Sequence, residues 1–293
     1  AQSGELPVVP DGETPRISQF DTDNIAILGD GRIVFSEVRA AARLRVFDPT
    51  AGTIETIAGN GVESEMRDSH DGMPALEVPI GILIDDIAVG PDGSIYVAVD
   101  FRIIRIAGGR VFIHAGNRRI APTVEGPARE VSIDTSVIAV AKDGTVYFEG
   151  DRSSEGRTSV WRVRNGRVEL VAGGVSETCP PSGALDELRF VSIDGVAVSP
   201  DGDLLVADSL GAVVHRVDLA DRTYSREAGV GVGGQGCGLS EECPGPLMDL
   251  RGPKGVAFDS FGHPVLWDET WGVLRIGADG LVHPVTSYND GRL

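Results

Sequence analysis

Five copies of a short alanine-centred strand run along this chain: Ile25-Ala26-Ile27, Ile87-Ala88-Val89, Ile138-Ala139-Val140, Val196-Ala197-Val198 and Val256-Ala257-Phe258. Each leads into a turn: Asp30-Gly31, Asp92-Gly93, Asp143-Gly144, Asp201-Gly202 and a degenerate Phe261-Gly262. Successive turns lie 62, 51, 58 and 60 residues apart. Self-similarity at this period specifies a propeller or another array, because one unit cannot bury its own apolar faces and must stack on its copies.

Within each period three more apolar runs follow the first. The second runs are Ile33–Ser36, Ile95–Ala98, Val146–Glu149, Leu204–Ala207 and Val265–Asp268. The third are Leu44–Phe47, Ile103–Ile106, Val160–Val163, Val213–Val217 and Val273–Ile276, and the fourth are Ile54–Ala58, Val111–Ala115, Val168–Ala172, Tyr224–Ala228 and Leu281–Val285. Four β-prone runs joined by turn residues read as an antiparallel meander. An alternating large-small-large strand suits the innermost position of a blade, where crowding is greatest. No segment sustains a helical stripe, and no apolar run is long enough to span a membrane. The expectation is an all-β propeller of four-stranded blades, in one domain over residues 1–293. Blades are expected at about 17–58, 79–116, 131–173, 190–229 and 250–286. Five are visible, with six as the alternative, and Leu6–Val9 within the N-terminal segment is placed to close the ring.

The runs DGVAVSPDGDLLVADS from Asp194, DDIAVGPDGSIYVAVD from Asp85 and PKGVAFDSFGHPVLWD from Pro253 resemble NHL repeats, a six-bladed propeller family. TIAGNG from Thr56 and VAGG from Val171 are similar to that family's strand end and following loop. The Gly-rich segment from Gly59 is similar to the inter-blade segments of bacterial and teneurin-type NHL arrays. The resemblance implies the fold. It leaves function open, since the family hosts binding modules and enzymes alike.

A net charge of −18 argues against nucleic acid or an anionic membrane as partner. The chain begins at Ala1 without methionine, which fits a removed signal peptide or a trimmed terminus, and a secreted, periplasmic or cell-surface location is expected. Three cysteines leave at least one outside any internal bridge. Cys237 with Cys243 would close a small Gly-rich loop, and pairings with Cys179 are equally open.

Antiparallel strands alternate in direction, so the links between blades and the turns from second to third strand share one side. These are the long segments, and long loops carry binding. Asp100, Arg102, Glu149, Asp208, Asp268, Glu269 and Trp271 fall there and are expected to contact a protein, peptide or glycan partner, with Trp271 as anchor. A second group stands two residues before each inner strand: Asp23, Asp85, Ser136, Asp194 and Lys254. Asp23, Asp85 and Asp194 offer hard oxygens suited to Ca²⁺ around a channel mouth, as in the propeller lactonases and lyases that the fold resembles. The plainer role for each is a strand-start cap. The acidic run Glu63–Asp71, with His70, is another candidate for metal or acid–base chemistry, or simply a solvated loop. The histidines are expected in packing or surface roles. Two functions follow: an exported binding propeller or, alternatively, a Ca-dependent propeller lactonase, hydrolase or lyase.

Overall fold

The computed structural model describes residues 24–37, 43–82, 84–151, 158–173, 180–239 and 242–285. The fold is an all-β propeller of five blades, each an antiparallel sheet with its four main strands in sequence order. Blade 1 contains β1 (Ile25–Ile27), β2 (Ile33–Glu37), β3 (Arg43–Asp48) and β4 (Thr53–Ala58). Blade 2 contains β5 (Ile84–Val89), β6 (Ile95–Val99), β7 (Arg102–Ala107) and β8 (Arg110–Ala115). A two-residue strand, β9 (Gly126–Pro127), precedes blade 3, which is formed by β10 (Ile138–Val140), β11 (Val146–Asp151), β12 (Thr158–Arg164) and β13 (Arg167–Ala172). Likewise β14 (Ser182–Ala184) precedes blade 4, with β15 (Ile193–Val198), β16 (Leu204–Asp208), β17 (Val213–Asp218) and β18 (Thr223–Ala228). Blade 5 contains β19 (Pro253–Phe258), β20 (Pro264–Asp268), β21 (Gly272–Ile276) and β22 (Val282–Pro284). Every main strand expected from the repeat is present. Leu6–Val9, Asp23 and Cys179 lie outside the described residues.

Two compact units divide the chain, residues 1–144 with 163–168 and residues 145–162 with 169–293, the boundary passing through the third sheet. In the first unit, Val34, Leu44 and Val46 of blade 1 share one core with Ile87, Val97 and Ile104 of blade 2. In the second, Leu205, Ala207 and Val214 of blade 4 share one with Leu266, Leu274 and Ile276 of blade 5. β6 and β16 are buried along their whole length, which explains their continuous apolar runs. Truncating one such side chain, as in Leu205→Ala, costs about 2–5 kcal/mol.

The links do more than connect. Each runs to the outer edge of the following blade, pairs there briefly, and then returns inward. β9 pairs with β13 and β14 with β18, while Pro74 bridges Arg110 and Pro244 bridges Leu281. Buried residues on the return, Val78, Val131, Leu188 and Met248, pin the link beneath it. The start of the link is fixed by the same bonds in three copies: Gly59 N to Ala75 O, Gly116 N to Ala128 O and Gly229 N to Gly245 O, at 2.8–3.0 Å. These positions need glycine. Gly116 and Gly229 have φ of 96° and 92°, and a Cβ would lie 2.5 Å from Phe101 O and 2.3 Å from Ala212 O respectively.

Candidate functional site

The inner strands of blades 2, 4 and 5 each carry a one-residue β-bulge at their first turn of pairing. Ile84 pairs with Val99 and Asp86 with Ala98; Ile193 with Asp208 and Gly195 with Ala207; Pro253 with Asp268 and Gly255 with Trp267. The residues left over are Asp85, Asp194 and Lys254, three of the five singled out from the spacing. A bulge frees its extra residue from the ladder and re-aims its side chain, a device common beside active sites.

At blade 2 the bulge gathers carboxylates. Asp85 is half-buried, and burial pushes its carboxyl up to about 6, helped by the negative charges of Asp134 and Asp100. Asp86 is raised to about 6 as well, again chiefly by burial. Two hydrogen bonds hold Asp86: it accepts from Ile87 N (2.8 Å) and from Ile138 N (2.7 Å), tying β5 to the next inner strand. Asn24 makes the corresponding link on the other side, donating to Ile84 O at 3.0 Å. Asp86 and Asp134 escaped the sequence reading. The signal for Asp86 was available: blades 4 and 5 have glycine at that place, Gly195 and Gly255, and blade 2 has a second aspartate. Gly195 is constrained because its Cβ would stand 2.5 Å from Lys254 O.

The bulge of blade 5 carries an ion pair. Lys254 pairs with Glu269 at 2.6 Å, and that bond and charge, with Asp194 contributing less, raise its ammonium. Asp194 accepts from Ser192 Oγ at 3.3 Å. Asp85 and Asp194 fall in different units, and Ser136 lies before β10. Among the described residues no group of three or more His, Cys, Asp or Glu is arranged to hold a metal ion.

Several residues expected at the partner surface hold the scaffold. Asp268 is 0% exposed, and its carboxylate accepts from the N–H groups of Arg251, Gly252, Thr270 and Trp271 at 2.9–3.1 Å. Asp208, also buried, accepts from Val191, Ser192 and Gly211 at 2.9–3.0 Å. Both clamp the end of a link to the turn after the second strand. Asp100 accepts from Ile82 N at 3.2 Å. Arg102, 4% exposed, donates to Met66 O and pairs with Asp68. Glu149 accepts from Thr158 Oγ1 at 3.0 Å. Trp271 packs partly buried over the second unit's core, and its Nε1 donates to Asp249 O at 2.7 Å. Glu269, taken up by Lys254, is the most exposed of the set.

The acidic run is spent on arginines: Glu65 pairs with Arg118, Asp68 with Arg102 and Asp71 with Arg129. His70 Nδ1 accepts from Arg67 N. Cys237 bonds to Cys243, closing the small loop. His263 and His283 pair with nearby Asp259 and Asp279, whereas His114 and His215 are buried, and burial lowers both imidazoles to about 4.

No protein-family model matches the chain, and no curated protein does. Solved structures do. A gluconolactonase from Xanthomonas campestris is 15% identical with a TM-score of 0.55, the match covering 91% of this chain and 76% of that one. Regucalcin, a calcium-binding protein from Agrobacterium tumefaciens, is 15% identical with a TM-score of 0.53, covering 90% and 72%. A chain of the nidogen/laminin complex is 11% identical with a TM-score of 0.54, covering 91% and 79%. At these identities the likeness shows the propeller fold.

Proposed function

We propose that this chain is a hydrolase of the lactonase class and that Asp85 handles the reacting proton. The observation supporting this is the raised carboxyl of Asp85, half-buried on a bulge with Asp134 and Asp100 beside it. A carboxyl that titrates near 6 is a competent base at neutral pH and is still acidic enough to return the proton. In the proposed reaction Asp85 takes a proton from water as the water oxygen attacks the lactone carbonyl carbon. The ring C–O bond then breaks, and Asp85 returns the proton to the departing alkoxide. Asp86, fixed by two backbone N–H groups, sets the direction of the strand that carries Asp85. The likeness in fold to a gluconolactonase supports the choice of substrate class.

The described carboxylates do not form a metal cage, so no step is routed through a cation. Calcium at Asp23, Asp85 and Asp194 enters as an arm of the test. An exported location belongs to the same proposal, supported by the Cys237–Cys243 bridge, since disulfides persist in oxidising compartments.

The test is pH-stat hydrolysis of a panel of sugar and aliphatic lactones, with calcium and with chelator. The expected result is hydrolysis whose kcat/KM rises through an apparent pKa near that of Asp85, with Asp85→Asn lowering it about 10²–10⁴-fold. Activity equal in wild type and Asp85→Asn, or no hydrolysis of any lactone with or without calcium, would reject the proposal. A second reading, docking of a protein, peptide or glycan on the link side, is favoured by the exposed apolar Val62, Leu76, Ile120 and Val124, all within the two links of the first unit.

A further inference from the structure

In blade 4, a pocket of about 500 Å³ opens between the end of the incoming link and the start of the outgoing one. That volume lies within the range of small-molecule sites, about 300–1,000 Å³. His215 of β17 lines it and is 1% exposed, yet neither ring nitrogen has a hydrogen-bond partner. The ring is held edge-on by Phe190 and Tyr224, each centroid 5.7 Å away.

The same register position elsewhere shows how unusual this is. It is filled by Ile104 in blade 2 and Leu274 in blade 5, both apolar. In blade 1 it is Arg45, paired with Glu37 at 2.8 Å. Blade 4 alone of these four places a polar ring there with both nitrogens unsatisfied. A buried polar group without a partner is costly, and a native structure that keeps one calls for an explanation.

The pocket supplies one. Arg226 lines it, with Nη1 bound to Val230 O and a buried Nε that has no partner. Arg189 lines it too. Asp208 is also in the lining, but its oxygens are occupied by three backbone N–H groups. Val191 and Val232, 48% and 76% exposed, border the mouth. Arg226 therefore offers a cationic group beside the ring, and Val191, Val213, Val230 and Val232 make the aliphatic part of the lining. His215 is neutral at physiological pH, since burial and the Arg226 charge lower it, so one nitrogen donates and the other accepts.

The geometry points to a binding site in blade 4 for a small aliphatic carboxylate, with its carboxylate at Arg226 beside His215 and its chain against Val191 and Val232. Guanidinium groups suit a carboxylate because their fork matches its two oxygens. Asp85 belongs to the other unit and is not in this lining.

Titration calorimetry of the whole chain with hexanoate, and with 1-hexanol as the uncharged control, tests the assignment. The expected result is saturable binding of hexanoate and binding of hexanol at least about tenfold weaker. His215→Leu and Arg226→Gln each weaken hexanoate at least about tenfold. Leu274 at the same register shows that leucine fits that place in a blade, and Arg226, partly exposed, tests the pocket without altering the core. Asp85→Asn binds hexanoate as wild type does, whatever its effect on hydrolysis. No heat from hexanoate at millimolar concentration, or unchanged affinity in both pocket variants, overturns the proposal and leaves His215 as a packed core ring.

Discussion

The bulge of blade 2 and the bulges of blades 4 and 5 share one backbone device and differ in electrostatics. In the second unit, Lys254 and Glu269 compensate one another, with Asp194 close enough to add to the field at Lys254. In the first unit, burial raises the Asp85 pKa, and the neighbouring carboxylates Asp134 and Asp100 raise it further. The same local geometry thus carries an exposed ion pair in blade 5 and a half-buried carboxyl near other carboxylates in blade 2. Strain of this kind is kept where it has a use, and proteins give up stability at working sites.

Substitutions in both units probe that difference. The largest effect is expected at the clamps. Asp268→Ala leaves four backbone donors without their acceptor and should cost about 3 kcal/mol or more in denaturant unfolding. A cost below about 1 kcal/mol would show that the carboxylate does not hold the link.

Next comes Asp85→Asn, which should stabilise the protein by about 1 kcal/mol near pH 8, allowing for the side chain's partial exposure. The folded-state value of about 6 lies above the unfolded 3.8, so the folded state binds more protons between them. The penalty is therefore full above about pH 6 and absent below about 3.8, and the gain should vanish in acid. Urea midpoints at the two pH values check this, and a variant that is more stable yet inactive is the signature of a working carboxylate. His114 and His215 move the other way: both are lowered to about 4, so their contribution is full above the unfolded 6.5 and lost as pH falls toward 4. Between about pH 4 and 6 the two sets act in opposite directions, and His215→Leu should shift the balance toward the aspartates. The smallest effect belongs to Lys254→Met, since the pair it breaks is solvent-exposed; a shift in melting temperature near the limit of measurement is expected.

Strand positions were legible because two signals coincide at each: alternating apolar residues and a Gly-containing turn at fixed distance. The bulge residues were legible for a weaker reason, common spacing ahead of the inner strand, and the bulge itself supplies the physical basis. The charge context was not. Whether Asp85 or Asp194 is compensated depends on Asp134, Asp100, Lys254 and Glu269, which reach the site from separate strands and links. The scaffold roles of Asp208 and Asp268 were not legible because a turn aspartate looks the same whether it faces solvent or gathers backbone N–H groups. The edge pairing of the links also passed unseen. It involves one to three residues such as Pro74, Gly126-Pro127 and Pro244, which carry no β-propensity. Its sequence trace is a buried apolar residue three or four positions on: Val78, Val131, Leu188 and Met248.

Because a link finishes the outer border of the blade that comes after it, the true modular brick is not the sheet but the sheet with its preceding link. Gene duplication or excision that respected sheet boundaries would strand a link against the wrong neighbour and bare a row of peptide groups to intermolecular pairing. Grafting or permuting this chain should therefore cut at the tight Asp-Gly hairpins, which no neighbouring blade depends on for its finish.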